Sequence, residues 1–211
     1  MRDKILELIL IIPAILIGFT FHEYAHAKVA DMLGDKTPRF QGRLTLNPLS
    51  HIDPIGFIMI LIAKFGWAKP VQINRRAFKN GYKDDLKVTI AGPLANLLVA
   101  IVFSVIFGLA YKFYFINNYT DITNILVQIL NLIIIINVNL FVFNLLPLPG
   151  LDGFGILEDL FPSAFGRISD SLYRYQFVIF ALIAFGGARF LEKPTGIILD
   201  ICSKIINGII A

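Results

Sequence analysis

Near the start of the chain, Phe21-His22-Glu23-Tyr24-Ala25-His26 holds residues whose types and spacing can do chemistry. Positions i and i+4 share one face of a helix, so His22 and His26 can offer two imidazoles to one metal ion. Glu23, beside the first histidine, can take a proton from a metal-activated water, as the general base of a metal-dependent hydrolysis does. Two histidines leave a zinc site incomplete, because a catalytic zinc usually keeps three protein ligands and one open position. His51, Asp152, Glu158 and Asp159 are the candidates for the third. Asp152 lies between Gly150 and Gly153, just after Pro147 and Pro149, where the backbone can bend a carboxylate back into a bundle. Asp-Gly is equally a common turn pair, so the residues alone leave this choice open. His51 reads as an outer partner of the site, a substrate contact or a plain loop histidine.

The elements that must position these groups are apolar. Of 211 residues, 56% are hydrophobic and 16% charged, against about a quarter charged in soluble domains. Mean hydropathy is +0.72. This composition predicts an all-α, polytopic membrane protein with one membrane-embedded domain over 1–211 and no appended soluble module. The net charge of +4 is modest, and its basic residues read as topology signals rather than a nucleic-acid surface. Cys202 stands alone, which excludes an intramolecular disulfide; it reads as a small buried hydrophobe in the last helix. The first apolar run is too long for a signal-peptide core, so it is expected to stay in the protein.

In chain order, 4–33 predicts one long helix with Pro13 inside it and Gly34 as its stop. Its ionisable residues cost a few kcal/mol each in a bilayer unless paired, which marks them as functional candidates. Residues 34–53 are turn-rich, with a possible small β element between 36 and 48 at Arg43-Leu44-Thr45-Leu46. Such a strand could offer its edge to an extended substrate. Residues 55–66 are apolar but short for a span and predict a re-entrant or short segment. Residues 64–87 carry seven Lys or Arg against two Asp and are expected in the cytoplasm. Trp67 reads as an interfacial anchor. Helices are predicted over 87–115 and 122–146, the second broken by Pro147. A C-terminal helical hairpin is predicted over 171–211, with Arg189, Glu192 and Lys193 at its turn. The whole amounts to about four full transmembrane helices plus the short fifth segment, with the core at 4–153. If 55–66 turns back, the first helix enters from outside and its histidines approach the cytoplasmic face, the side of Asp152.

Three spaced motifs carry a resemblance. They are His22-Glu23-Tyr24-Ala25-His26, then Gly92-Pro93-Leu94-Ala95-Asn96, then Asn144-Leu145-Leu146-Pro147-Leu148-Pro149-Gly150-Leu151-Asp152-Gly153. In this order they resemble the site-2 protease family of intramembrane zinc metalloproteases, peptidase family M50, in its compact form without a PDZ domain. The resemblance implies one zinc held by His22, His26 and Asp152, and Glu23 as the base. It implies Asn96 and Asn144 near substrate or oxyanion, where a side-chain amide can donate to developing charge. Both asparagines also suit interhelical hydrogen bonding, as do Asn137 and Asn139. Gly92 and Pro93 equally suit helix entry and packing. The implied activity is hydrolysis of peptide bonds in transmembrane segments of membrane proteins, at the cell membrane, with the site towards the cytoplasm. The rival reading is a non-enzymatic membrane protein that binds or carries a divalent metal through the same residues. The glutamate between the histidines favours the enzyme.

Overall fold

A computed structural model describes residues 2–63, 66–118, 120–182 and 188–211. The described chain is helical: α1 (Arg2–Met32), α2 (Thr37–Phe40), α3 (Pro54–Ala63), α4 (Tyr82–Phe113), α5 (Asp121–Asn144), α6 (Asp152–Leu160), α7 (Pro162–Leu182) and α8 (Ala188–Ile210). Three helical stretches are long and apolar enough to cross a membrane: Leu8–Met32, Tyr82–Asn117 and Asp121–Asn144. The protein is thus an all-α, polytopic membrane protein, with three such helices among the described residues. The other long helices lie at the C-terminus. There α8 has spanning length but carries Glu192, Lys193, Asp200 and Lys204, and α7 carries Arg167, Asp170 and Arg174. Glu192 and Lys193, expected at a turn, lie within α8.

α1 continues through Pro13 and stops where the sequence says it should. Gly34 takes φ of 112°, and the Asp35 N–H closes back on the Ala30 carbonyl at 3.0 Å. Glycine adopts that left-handed turn without a Cβ penalty. α1, α4 and α5 pack as the core. Ala14, Val99 and Ile133 meet in one layer, and Ala100, Ile134 and Val138 with Cys202 of α8 in another. Cys202 is a buried hydrophobe, as expected. The C-terminal turns of α1 meet the start of α4, since Ala30 packs on Phe78 and Val88. The chain therefore leaves and re-enters the bundle at the same end. α3, at ten residues, is only about 15 Å long, half of a ~30 Å hydrocarbon core.

No strand forms between residues 36 and 48. Pro38 opens the one-turn α2, and the Arg43–Leu46 stretch is drawn into a tight loop instead. The Arg43 guanidinium, 5% exposed, donates to the carbonyls of Ser50 and Pro70. Buried Asp35 accepts from the backbone of Thr37 and Asn74. These bonds take the loop's polar groups inward and leave no neighbouring edge for a ladder. The β-type contact among the described residues is one isolated antiparallel bridge, Ile52 with Ala68.

Candidate active site

α1 delivers His22, Glu23 and His26 to the end of the bundle where the connecting loops gather. α6 delivers Asp152, and the backbone there explains how. α5 ends at Asn144. Pro147 and Pro149 bar further helix, and Gly150 turns the chain at φ of 89°. A Cβ on Gly153 would lie 2.3 Å from the Leu145 carbonyl oxygen. Only a bare glycine lets the first turn of α6 pack against the end of α5.

The three side chains converge. The Nε2 atoms of His22 and His26 are 3.0 Å apart. Asp152 Oδ2 is 3.1 Å from His22 Nε2, and Oδ1 is 3.3 Å from His26 Nε2. Among the described residues, these form the one cluster of His, Cys, Asp and Glu able to hold a metal. Each imidazole is held by its other nitrogen. His26 Nδ1 lies 2.8 Å from the Val88 carbonyl, which can only accept, so Nδ1 carries the proton. His22 Nδ1 lies 2.7 Å from Asn96 Oδ1 and donates to it. Both Nε2 atoms are then unprotonated lone pairs facing each other, beside a buried carboxylate oxygen that has no hydrogen-bond partner. That arrangement repels itself unless a cation sits at its centre. A tetrahedral zinc with bonds of about 2.0–2.1 Å separates its ligands by about 3.3 Å. The observed spacings fit.

Glu23 is buried beside this cluster, and the Val71 N–H donates to its Oε2 at 2.8 Å. A cavity of about 420 Å³ contains His22, Glu23, His26 and Asp152, with Asn144 at its wall. Its apolar lining includes Phe19, Trp67, Val71 and Phe143. Asn144 Nδ2 gives one hydrogen to the Leu140 carbonyl at 2.9 Å and keeps a second for another acceptor. Of its two expected places, Asn96 takes the interhelical one. It is fully buried away from the cavity, and its Nδ2 donates to both the Gly18 carbonyl and Asn137 Oδ1 at 3.0 Å. It has no donor left for an oxyanion. His51 is also away from the cluster, fully buried with Nε2 donating to the Thr45 carbonyl at 2.8 Å. Trp67, expected as an interfacial anchor, stands at the cavity wall. Asn139 is exposed and lines a separate apolar cavity.

Glu158 and Asp159, the other candidate ligands, form a second polar group with Arg75 and Asp85. Arg75 pairs with Asp85, and with Glu158 at 3.0 Å. Asp159 faces Asp85, carboxyl to carboxyl, where only a proton on one of them can bond the two, and no other partner reaches either of its oxygens. Burial first, and then the nearby Asp85 carboxylate, push its carboxyl up to about 7, with Arg75 opposing. Two contacts to Glu23 and His26 had no signal in the sequence, the Val71 amide and the Val88 carbonyl, because a backbone group is the same in every residue. The role of Gly92 was half-visible. A Cβ there would sit 2.2 Å from His26 Nε2 and 2.7 Å from His22 Cε1. Gly92 lets α4 lie directly against both imidazoles.

A membrane helix bundle in which two histidines and an aspartate converge, with a glutamate beside them, has the make-up of a metallopeptidase site. The comparisons agree. The model of peptidase family M50 matches residues 10–186, and the chain belongs to that family and is a metallopeptidase. It is 42% identical over 173 residues to the Bacillus subtilis protein named "Putative zinc metalloprotease YwhC", covering 82% of this chain and 78% of that one. It is 33% identical over 156 residues to "Putative zinc metalloprotease Rip2" of Mycolicibacterium smegmatis, covering 71% of this chain and 56% of that one. A Mycobacterium tuberculosis protein of the same name is 28% identical over the same span. No solved structure matches the chain.

Proposed function

We propose that this protein is a site-2-type intramembrane zinc metalloprotease that hydrolyses peptide bonds in transmembrane segments of membrane proteins. The observation that carries the reading is the convergence of His22, His26 and Asp152, with Glu23 beside them, in a cavity sunk among membrane-spanning helices. His22 Nε2, His26 Nε2 and one Asp152 oxygen would hold one zinc per chain. Zinc bound there supplies Lewis acidity to the scissile carbonyl and acidifies the attacking water. Glu23 takes the proton from that water and passes it to the leaving amine. The Val71 amide anchors Oε2 of Glu23, which fixes the direction from which the base works. The remaining Asn144 Nδ2 hydrogen is available to the developing oxyanion.

The chemistry bears on the substrate. In a helix the backbone carbonyls are tied up in i→i−4 hydrogen bonds. The segment to be cut therefore enters locally unwound, with its backbone open to attack. The basic loop that follows α3 lies at the same end of the bundle as the site, and its charge favours the cytoplasmic side of the cell membrane. Glu23→Gln tests the reading. It is expected to keep zinc at about one per chain and to lose cleavage of a reconstituted transmembrane substrate. Wild-type turnover by this variant would remove Glu23 as the base and the reading with it.

A further inference from the structure

One chain of hydrogen bonds leaves the metal cluster and runs through three helices. It starts at His22 Nδ1 on α1, passes to Asn96 Oδ1 on α4 at 2.7 Å, and continues from Asn96 Nδ2 to Asn137 Oδ1 on α5 at 3.0 Å. It ends where Asn137 Nδ2 donates to the Ile133 carbonyl at 2.8 Å. Both asparagines are fully buried. We propose that Asn137, acting through Asn96, is a positioning residue that sets the proton of His22 on Nδ1 and so keeps Nε2 free for the metal. The inference rests on the metal-site reading above and extends it to a residue outside all three motifs.

The direction of every bond in the chain is determined. The Ile133 carbonyl can only accept, so it must face the NH₂ end of Asn137. That leaves Asn137 Oδ1 facing Asn96. The Gly18 carbonyl also only accepts, so it too must face the NH₂ end of Asn96. With both hydrogens of that group taken, Asn96 can present only its oxygen to His22. An oxygen acceptor requires the proton on Nδ1. A simple interhelical bridge would tolerate either orientation of the amides. This one ends on a ligand and has its polarity fixed at two helix carbonyls.

Without Asn137, Asn96 keeps one anchor instead of two, so turning its amide gives up one hydrogen bond, at the Gly18 carbonyl, rather than two. A turned amide offers NH₂ to His22 Nδ1, and the proton moves to Nε2, where it blocks the metal. Outer partners of metal-bound histidines are typically worth 10–100-fold in metal affinity. The test uses the full chain in detergent with three measurements. The first is zinc affinity by competition with a chelator. Asn137→Leu is expected to weaken it about 10-fold. Asn137→Asp, which when neutral keeps the same acceptor and donor, is expected to stay within about 3-fold of wild type. If Leu does not fold at this position, Asn137→Ala takes its place. The second is a double-mutant cycle. In an Asn96→Leu background the Asn137 substitution should have no further effect on zinc affinity. The third is the nitrogen NMR spectrum of histidine-labelled, metal-free protein, recorded at a pH high enough that all three rings are neutral. The chain has three histidines, and the wild type should show two Nδ1–H rings, His22 and His26, and one Nε2–H ring, His51. Asn137→Leu should add Nε2–H signal from His22 alone. An unchanged His22 tautomer, equal losses in the Leu and Asp variants, or full additivity with Asn96→Leu would each overturn the proposal. None of these measurements depends on proteolysis, so their failure is distinct from a failure of the proposed activity.

Discussion

Replacing Gly92 by alanine should disable the metal site while leaving the helix that carries it intact. The added Cβ would lie 2.2 Å from His26 Nε2, 2.5 Å from His26 Cε1 and 2.7 Å from His22 Cε1. Ordinary contact begins at 3.4 Å, so the nearest imidazole must retreat by about 1.2 Å or α4 must move off α1 by a similar distance. Metal–ligand distances tolerate about 0.2 Å, and a 1 Å misplacement of a catalytic group costs about 100-fold. The expected result is a fall in cleavage of at least about 100-fold together with loss of bound zinc. Helix stability moves little, because Gly→Ala gains about 0.5–1 kcal/mol in a helix interior, partly offset by the clash a Cβ meets before Pro93. Gly166→Ala is the control, since a Cβ at Gly166 meets open space. The assay pairs zinc content per chain by mass spectrometry with cleavage of a transmembrane substrate in liposomes. A Gly92→Ala protein that retains one zinc and cleaves within about 3-fold of wild type would refute the idea that α4 is packed to contact against the ligands.

Asp152→Ala should lower zinc content sharply, because it removes the carboxylate that meets both Nε2 atoms; a zinc content still near one per chain would exclude it as a ligand. Asp159→Asn should raise Tm more at pH 8 than at pH 5. The folded carboxyl is pushed up to about 7 by burial and by Asp85, so its neutral form contributes stability below the ordinary carboxylate range, and that contribution is lost as pH rises through about 7. Asparagine stays neutral throughout, and an equal Tm difference at both pH values would show that Asp159 does not titrate there.

Much of the site was legible because its chemistry is local. His22, Glu23 and His26 share two turns of one helix, and periodicity alone puts the histidines on one face. The end of α5 was legible from Pro147 and Pro149, and the end of α1 from Gly34. The short α3 was legible from its length. The β element was misread because Arg43-Leu44-Thr45-Leu46 has strand-like alternation. What decided its shape was the Arg43 guanidinium reaching the carbonyls of Ser50 and Pro70. The further span expected in the C-terminal hairpin falls where α8 has the length but carries Glu192, Lys193, Asp200 and Lys204.

Asn96 and Asn144 show where reading a sequence stops. Each is an asparagine in a membrane helix, and each belongs to a motif. Rotation of α4 buries Asn96 against α1 and α5, whereas Asn144, at the last turn of α5, faces the cavity. No property of the residue separates the two; only the packing of the three helices does.

The two histidines must meet the same requirement, a proton held on Nδ1, and they meet it differently. His26 uses the Val88 carbonyl, a backbone group that every residue at that position supplies. His22 uses a side chain, Asn96, whose orientation in turn depends on carbonyls of α1 and α5 and on Asn137. The His26 contact is therefore insensitive to substitution at Val88 so long as α4 keeps its path. The His22 contact is sensitive at two positions, on two helices. It also ties the metal site to the packing of α5 against α4, because Asn137 of α5 helps hold the amide that His22 faces.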